Sequence, residues 1–267
     1  MSALAAIPVR SPLPAELAGS TTVVVGGTSG IGLAAATLLR RLGGRVVLVG
    51  RNPERLAAAV AHVREEKPAE GEPLLGEAVL GVAADGADEG ALAEAFDLAG
   101  SVDHVLVTSG GLTGAGPVTE VSAGDVRAAF EERVLGAFAA ARLAAARLSA
   151  GGTITLTSGT HVLRPQPGMA GPLAAVGAVE TFTRALAVEL APRRLRVNAV
   201  RYGVIDTPLM RGASGLATDA AMAAAGAGTL LGRYGTAEEA AASALFLMAN
   251  AYVTGQVITV DGGQSLV

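Results

Sequence analysis

The sequence predicts an α/β domain built on parallel strands joined by crossover helices. Three observations carry that expectation. Short apolar runs alternate with helical stretches from Val23 onward, a rhythm that fits parallel strands with crossovers and not a bundle or a sandwich. Of 267 residues, 51% are hydrophobic and 16% charged, which supplies a large core and excludes disorder for most of the chain. The first run, Val23-Val24-Val25, passes through Gly26-Gly27-Thr28-Ser29-Gly30-Ile31-Gly32 directly into a helical pattern. Glycines at 26, 30 and 32 remove the Cβ atoms that would hold a bulky anion off the backbone and the helix off its strand. The free amides at the start of that helix then offer a site for a diphosphate.

The elements follow in order. Residues 1–16 contain Pro8, Pro12 and Pro14 without helix or strand period, so a loose arm is expected there and one domain over 17–267. Leu33–Leu42 reads as a helix ended by Gly43-Gly44, and Arg45–Val49 as a buried strand. Pro53 opens a helix to about Glu66, and the charged stretch 65–73 is a surface loop. A strand at 78–83, a helix at 88–98 and a strand at 104–108 continue the alternation. The long helix expected at 124–148 is rich in Ala, and its small side chains suit close approach by a second copy. A strand at 153–157, a helix at 173–190 stopped by Pro192, and a strand at 195–200 come next. Residues 206–233 carry Gly212, Gly215, Gly226 and Gly228 with little apolar period, which suits a lid over a site. A helix at 237–248 and a strand at 256–260 end the chain.

Composition narrows the partners. Aromatic residues make up 3% and the formal net charge is -4, both opposed to a nucleic-acid binder. The absence of cysteine excludes disulfides and thiolate metal sites, and no metal centre is expected. No apolar run reaches the ~20 residues of a membrane span, and no basic leader precedes an apolar stretch. Cytoplasmic residence without a membrane partner is the expectation.

Several separated stretches resemble the short-chain dehydrogenase/reductase family over essentially the whole chain. Residues 26–32 are similar to its TGxxxGIG loop, with Val25 where threonine is usual. Asp85 matches the aspartate that holds the adenine ring in that family. Arg196-Val197-Asn198-Ala199-Val200 with Gly203 and Asp206-Thr207-Pro208 resembles RVNAVxPG...DTP, and Leu231-Gly232-Arg233-Tyr234-Gly235 resembles LGRxG. Val253-Thr254-Gly255-Gln256 and Val260-Asp261-Gly262-Gly263 match its TGQ...VDGG ending. The resemblance implies a Rossmann-type, doubly wound three-layer α/β/α sandwich with seven parallel strands. It also implies a nicotinamide dinucleotide, a small-molecule substrate and a homodimer or homotetramer, for which the 124–148 and 173–190 helices are the expected faces. The cofactor-binding residues it implies are Gly26, Thr28, Ser29, Gly30, Ile31, Gly32, Asn52, Asp85, Gly110, Gly203 and Thr207. About 20 residues past the glycine turn, where an NAD-preferring fold carries an acid for the ribose 2′-hydroxyl, stands Gly50-Arg51-Asn52. A guanidinium pairs with a 2′-phosphate. Arg51 thus favours NADP(H) over NAD(H).

The resemblance breaks at the catalytic residues. The family uses Asn, Ser, Tyr and Lys, the last two spaced YxxxK; the aligned positions here hold Pro172 and Val176, with Arg133 at the asparagine and only Ser158 kept. The sole lysine is Lys67, and the residues four beyond Tyr202, Tyr234 and Tyr252 are Asp206, Glu238 and Gln256. Two readings follow. In one, the chain is an oxidoreductase acting on a carbonyl, alcohol or activated alkene, with His161 or Tyr202 as a non-standard proton donor beside Ser158. Arg133, Arg164 or Arg201 would then hold an anionic substrate or steady an oxyanion. In the other, it binds NADP(H) without turnover as a sensor, scaffold or partner subunit. His62 and His104 read as structural.

Overall fold

The computed structural model describes residues 12–68, 77–212 and 215–267. Its centre is a seven-stranded sheet of β1 (Thr21–Val25), β2 (Arg45–Gly50), β3 (Val79–Ala83), β4 (His104–Val107), β5 (Thr153–Gly159), β6 (Arg196–Tyr202) and β7 (Val257–Val260). The strand order is β3-β2-β1-β4-β5-β6-β7, and each neighbouring pair is parallel. The expected α/β architecture is the observed one.

Continuous apolar strands arise because both sheet faces are covered. Val23, Val25, Val47 and Val49 face a core completed by α3 (Glu89–Ala99), α5 (Gly136–Arg147) and α6 (Ala170–Leu190). Val24, Val46 and Leu48 point the other way, into α1 (Gly30–Arg41), α2 (Pro53–Glu65) and a C-terminal helix at Ala237–Ala249. Each such side chain contributes about 1.5–3 kcal/mol when fully buried, so β1 and β2, buried on both faces, hold helices to either side of the sheet. Arg196, at the start of β6, donates to the carbonyls of Leu247, Met248 and Val253, and the first two bonds satisfy the last turn of the C-terminal helix.

The chain winds outward from β1 on one side and from β4 on the other. Their carboxyl ends therefore flank the point where the strand order reverses, the place where open parallel sheets bind ligands.

Four expectations need correction. The 124–148 helix is α4 (Ala123–Phe130) and α5 joined by a π-helical turn over Glu131–Leu135, and such wide turns concentrate at functional sites. Strands β5 and β6 run two residues beyond their expected ends, which carries Ser158 and Tyr202 to the edge of the crevice. Helix α6 begins at Ala170, three residues early, because Pro172 needs no amide hydrogen bond in a first turn. The 206–233 stretch is not bare loop. It contains α7 (Pro208–Gly212) and α8 (Asp219–Gly226), followed by α9, the C-terminal helix already described. Residues 1–11 of the expected arm and 69–73 of the expected loop lie outside the described residues, while Leu17 is buried and anchors the domain's start. Among the described residues, no helix is long and apolar enough to cross a membrane and no group of three His, Asp or Glu could hold a metal.

Candidate active site

Two adjoining cavities open at the carboxyl edge of the sheet. The larger, about 470 Å³, lies over the β1–α1 turn and is walled by the glycine loop, Arg51, Asn52, Asp85, Gly110 and Thr207. Gly26 sits at φ +88°, a conformation that disfavours any side chain. An ideal Cβ at Gly32 would collide with the Gly26 carbonyl oxygen and lie 2.5 Å from Thr108 Oγ1. That hydroxyl donates to the carbonyls of Val25 and Gly26, each at 3.2 Å, and pins the turn. Ser29 provides no side-chain cap to α1, so the first-turn amides of the helix remain donors toward the cavity they line. The cradle thus fits a dinucleotide's diphosphate.

At the rim, Arg51 is 69% exposed and only loosely paired, 3.9 Å from Asp85 Oδ2 and 3.7 Å from Glu132 Oε1. Glu132 went unforeseen in the sequence. Asn52 spends its side-chain oxygen on the N-cap of α2, accepting from the Arg55 amide at 2.8 Å. Asp85 accepts from the Ala87 amide at 3.0 Å, which fixes its turn at the cavity mouth.

The smaller cavity, about 160 Å³, shares Ile31, Gly110 and Thr207 with the first and is lined also by Arg133, Ser158, His161, Tyr202 and Gly203. Gly203 thus lies on the second cavity rather than the first. Asp261 and Gln264 would crowd any Cβ there. Ser158 donates to Glu180 Oε1 at 2.5 Å. The same carboxylate receives Arg201 Nε at 2.8 Å and Nη2 at 2.6 Å, and Arg201 Nη1 reaches Thr259 Oγ1 at 3.0 Å. Burial alone would raise the Glu180 pKa, but the hydrogen bonds from Arg201 and Ser158 outweigh it and hold the group below its ordinary value.

This buried network corrects the expectation for Arg201, whose charge is consumed inside the fold. Arg164 is exposed and does not line either cavity. Tyr202 is corrected as well: its hydroxyl donates to the Ala240 carbonyl of α9 at 2.9 Å, and burial pushes its pKa well above the ordinary phenol value. A phenol so placed presents no labile proton to the cavity. His161 is half-buried, and desolvation lowers its pKa. His104 is structural, its Nδ1 lying 2.8 Å from Thr153 Oγ1.

Glu180, like Glu132, is a functional-region residue that the sequence reading missed. Its signal was present: it stands on the stripe Val176, Glu180, Thr183, Ala187, whose members are all buried, and an acid on such a stripe requires a partner.

Comparison with known proteins places the chain. Residues 25–265 match the family described as Enoyl-(Acyl carrier protein) reductase. Carbonyl reductase family member 4 of Danio rerio is 33% identical over 249 residues, covering 91% of this chain and 97% of the relative. The structure of MalC Reductase/Diels-Alderase from Malbranchea aurantiaca superposes with a TM-score of 0.85 at 28% identity, over 96% of this chain and 100% of that one. A small-chain dehydrogenase in complex with NADPH gives 0.74 at 31% identity, over 93% and 100%. Sheet order, glycine cradle and these likenesses agree that the chain belongs to the short-chain dehydrogenase/reductase family of oxidoreductases.

Proposed function

We propose that the protein is an NADP(H)-dependent oxidoreductase in which His161 replaces the family's tyrosine as proton donor. The carrying observation is the continuity of the two cavities, one with an anion cradle and a rim arginine, the other with a histidine whose described surroundings include no hydrogen-bond partner. Arg51 supports NADP(H). Its two contacts are long and exposed, and pairs of that kind contribute about 0–1 kcal/mol, so a doubly charged 2′-phosphate displaces them readily. Arg51→Ala should cut the preference for NADPH over NADH about tenfold, read as the ratio of the two dissociation constants.

The bound nicotinamide supplies or takes the hydride. Ser158 has committed its only hydrogen to Glu180, so it meets a substrate as an acceptor. Proton delivery to a reduced oxygen therefore falls to His161. Because its pKa is lowered, the imidazolium is the minor form at pH 7, and reduction should accelerate as pH falls toward and through that pKa. His161→Ala should lower turnover about 100-fold or more without changing NADPH affinity, whereas Tyr202→Phe should leave turnover unchanged. Both are measured as NADPH consumption with ketones, enones and quinones.

The inert alternative draws on Pro172 and Val176, which occupy the usual tyrosine and lysine positions. NADPH binding without turnover of any member of that panel would favour it. A homodimer or homotetramer is supported by Phe138 of α5 and Val188 of α6, which remain 49% and 77% exposed. A lid role for 206–233 is supported by Pro208, Leu209 and Met210 of α7, which line the two cavities.

A further inference from the structure

Two arginines reach the second cavity's surroundings, and they are treated differently by the fold. Arg201 is neutralised by Glu180. Arg133, on the π-helical turn, makes one hydrogen bond among the described residues, from Nη2 to the Gly111 carbonyl at 3.1 Å, and its buried Nε has no partner among them. Among the described residues no carboxylate comes within ion-pair distance of it. Its neighbour Glu132 is occupied by Thr113 at 2.9 Å and faces Arg51. A guanidinium has five donors in a planar fork that matches a carboxylate, and a desolvated cation is costly when its nearest carboxylate, Glu132, attracts it only from beyond ion-pair distance. Arg133 lines only the smaller cavity, so the dinucleotide's phosphates do not account for it.

We infer that Arg133 is a substrate-recognition residue that takes the carboxylate of a short-chain carboxylic acid into the 160 Å³ cavity. The rest of that wall includes Leu112, Val204 and Met210, which suit a short apolar body. The cavity is about a third the size of the adjoining one, about 160 against about 470 Å³, which favours a small acid. Arg133 sits at the middle of the π-helical turn Glu131–Leu135, the kind of irregularity that concentrates at functional sites.

The inference rests on reading the smaller cavity as the substrate pocket. Its test needs no turnover. Butanoate and 2-oxobutanoate are titrated by calorimetry into the whole protein, with and without saturating NADP⁺, against butanamide as the neutral isostere. Both acids should bind at least tenfold more tightly than the amide, and Arg133→Gln should abolish the difference while Arg133→Lys retains part of it. Equal affinity for acid and amide in the unmodified protein overturns the inference, as does undiminished acid binding by a folded Arg133→Gln. The unmodified comparison stands even if the variants do not fold. Separate titration of NADP⁺ tells this failure from failure of the cofactor assignment: acid selectivity without NADP⁺ binding defeats only the latter.

Discussion

Glu180→Gln should lower the free energy of unfolding by about 3 kcal/mol, because removing one partner of a buried pair strands the other. Arg201 and Glu180 side chains are 11% and 7% exposed, and after the substitution the guanidinium would keep only neutral acceptors, the new amide oxygen and Thr259 Oγ1, with no counter-charge. Urea denaturation at pH 7 measures the loss. The double variant Glu180→Met with Arg201→Met should recover most of it, since apolar replacement of a whole buried pair is often neutral or better. A loss below about 1 kcal/mol would show that the network carries no structural weight. Acid sensitivity has a definite sign. The folded Glu180 carboxyl lies below its ordinary pKa, so its contribution is fully present above the unfolded value, near 4.3, and is lost as pH falls through the folded one. The Gln variant should show a flatter stability profile over that acid range.

Gly32→Ala should be the most damaging single methyl group for cofactor binding. The new Cβ would meet the carbonyl oxygen and, at 2.9 Å, the carbonyl carbon of Gly26, which are backbone atoms without freedom to rotate away, as well as Thr108 Oγ1. Overpacking of this kind costs about 1–3 kcal/mol. Relief would push α1 from β1 and displace the amides of the cradle. A fall in NADPH affinity of about 100-fold, read by fluorescence titration, is expected. Gly177→Ala is the internal control: nothing lies within 4 Å of its added Cβ in α6, so binding should be unchanged and stability equal or higher.

The fold was largely legible because its determinants are local. Val23, Val47 and their neighbours announce strands by composition, and Gly26 to Gly32 announces a turn that must approach both an anion and a helix. The π-turn at 131–135 was not legible. Its sequence, Glu-Glu-Arg-Val-Leu, fits an ordinary helix, and the extra residue is revealed only where α4 and α5 pack on the rest of the fold. Tyr202 misled for a related reason. Strand alternation turns its ring toward α9, where Ala240 takes the hydroxyl, and no short-range pattern could show that helix arriving there. Arg133, Arg164 and Arg201 look alike as letters. Burial and the presence or absence of Glu180 separate a saturated cation, a solvated one and one with donors to spare.

Isothermal titration of the folded protein with NADP⁺ and, separately, NAD⁺ bears most directly on the whole account. Saturable heat with NADP⁺ at micromolar concentration, and at least tenfold weaker binding of NAD⁺, is the predicted result. No heat from either dinucleotide, in material whose circular dichroism and cooperative melting confirm the native fold, would contradict it.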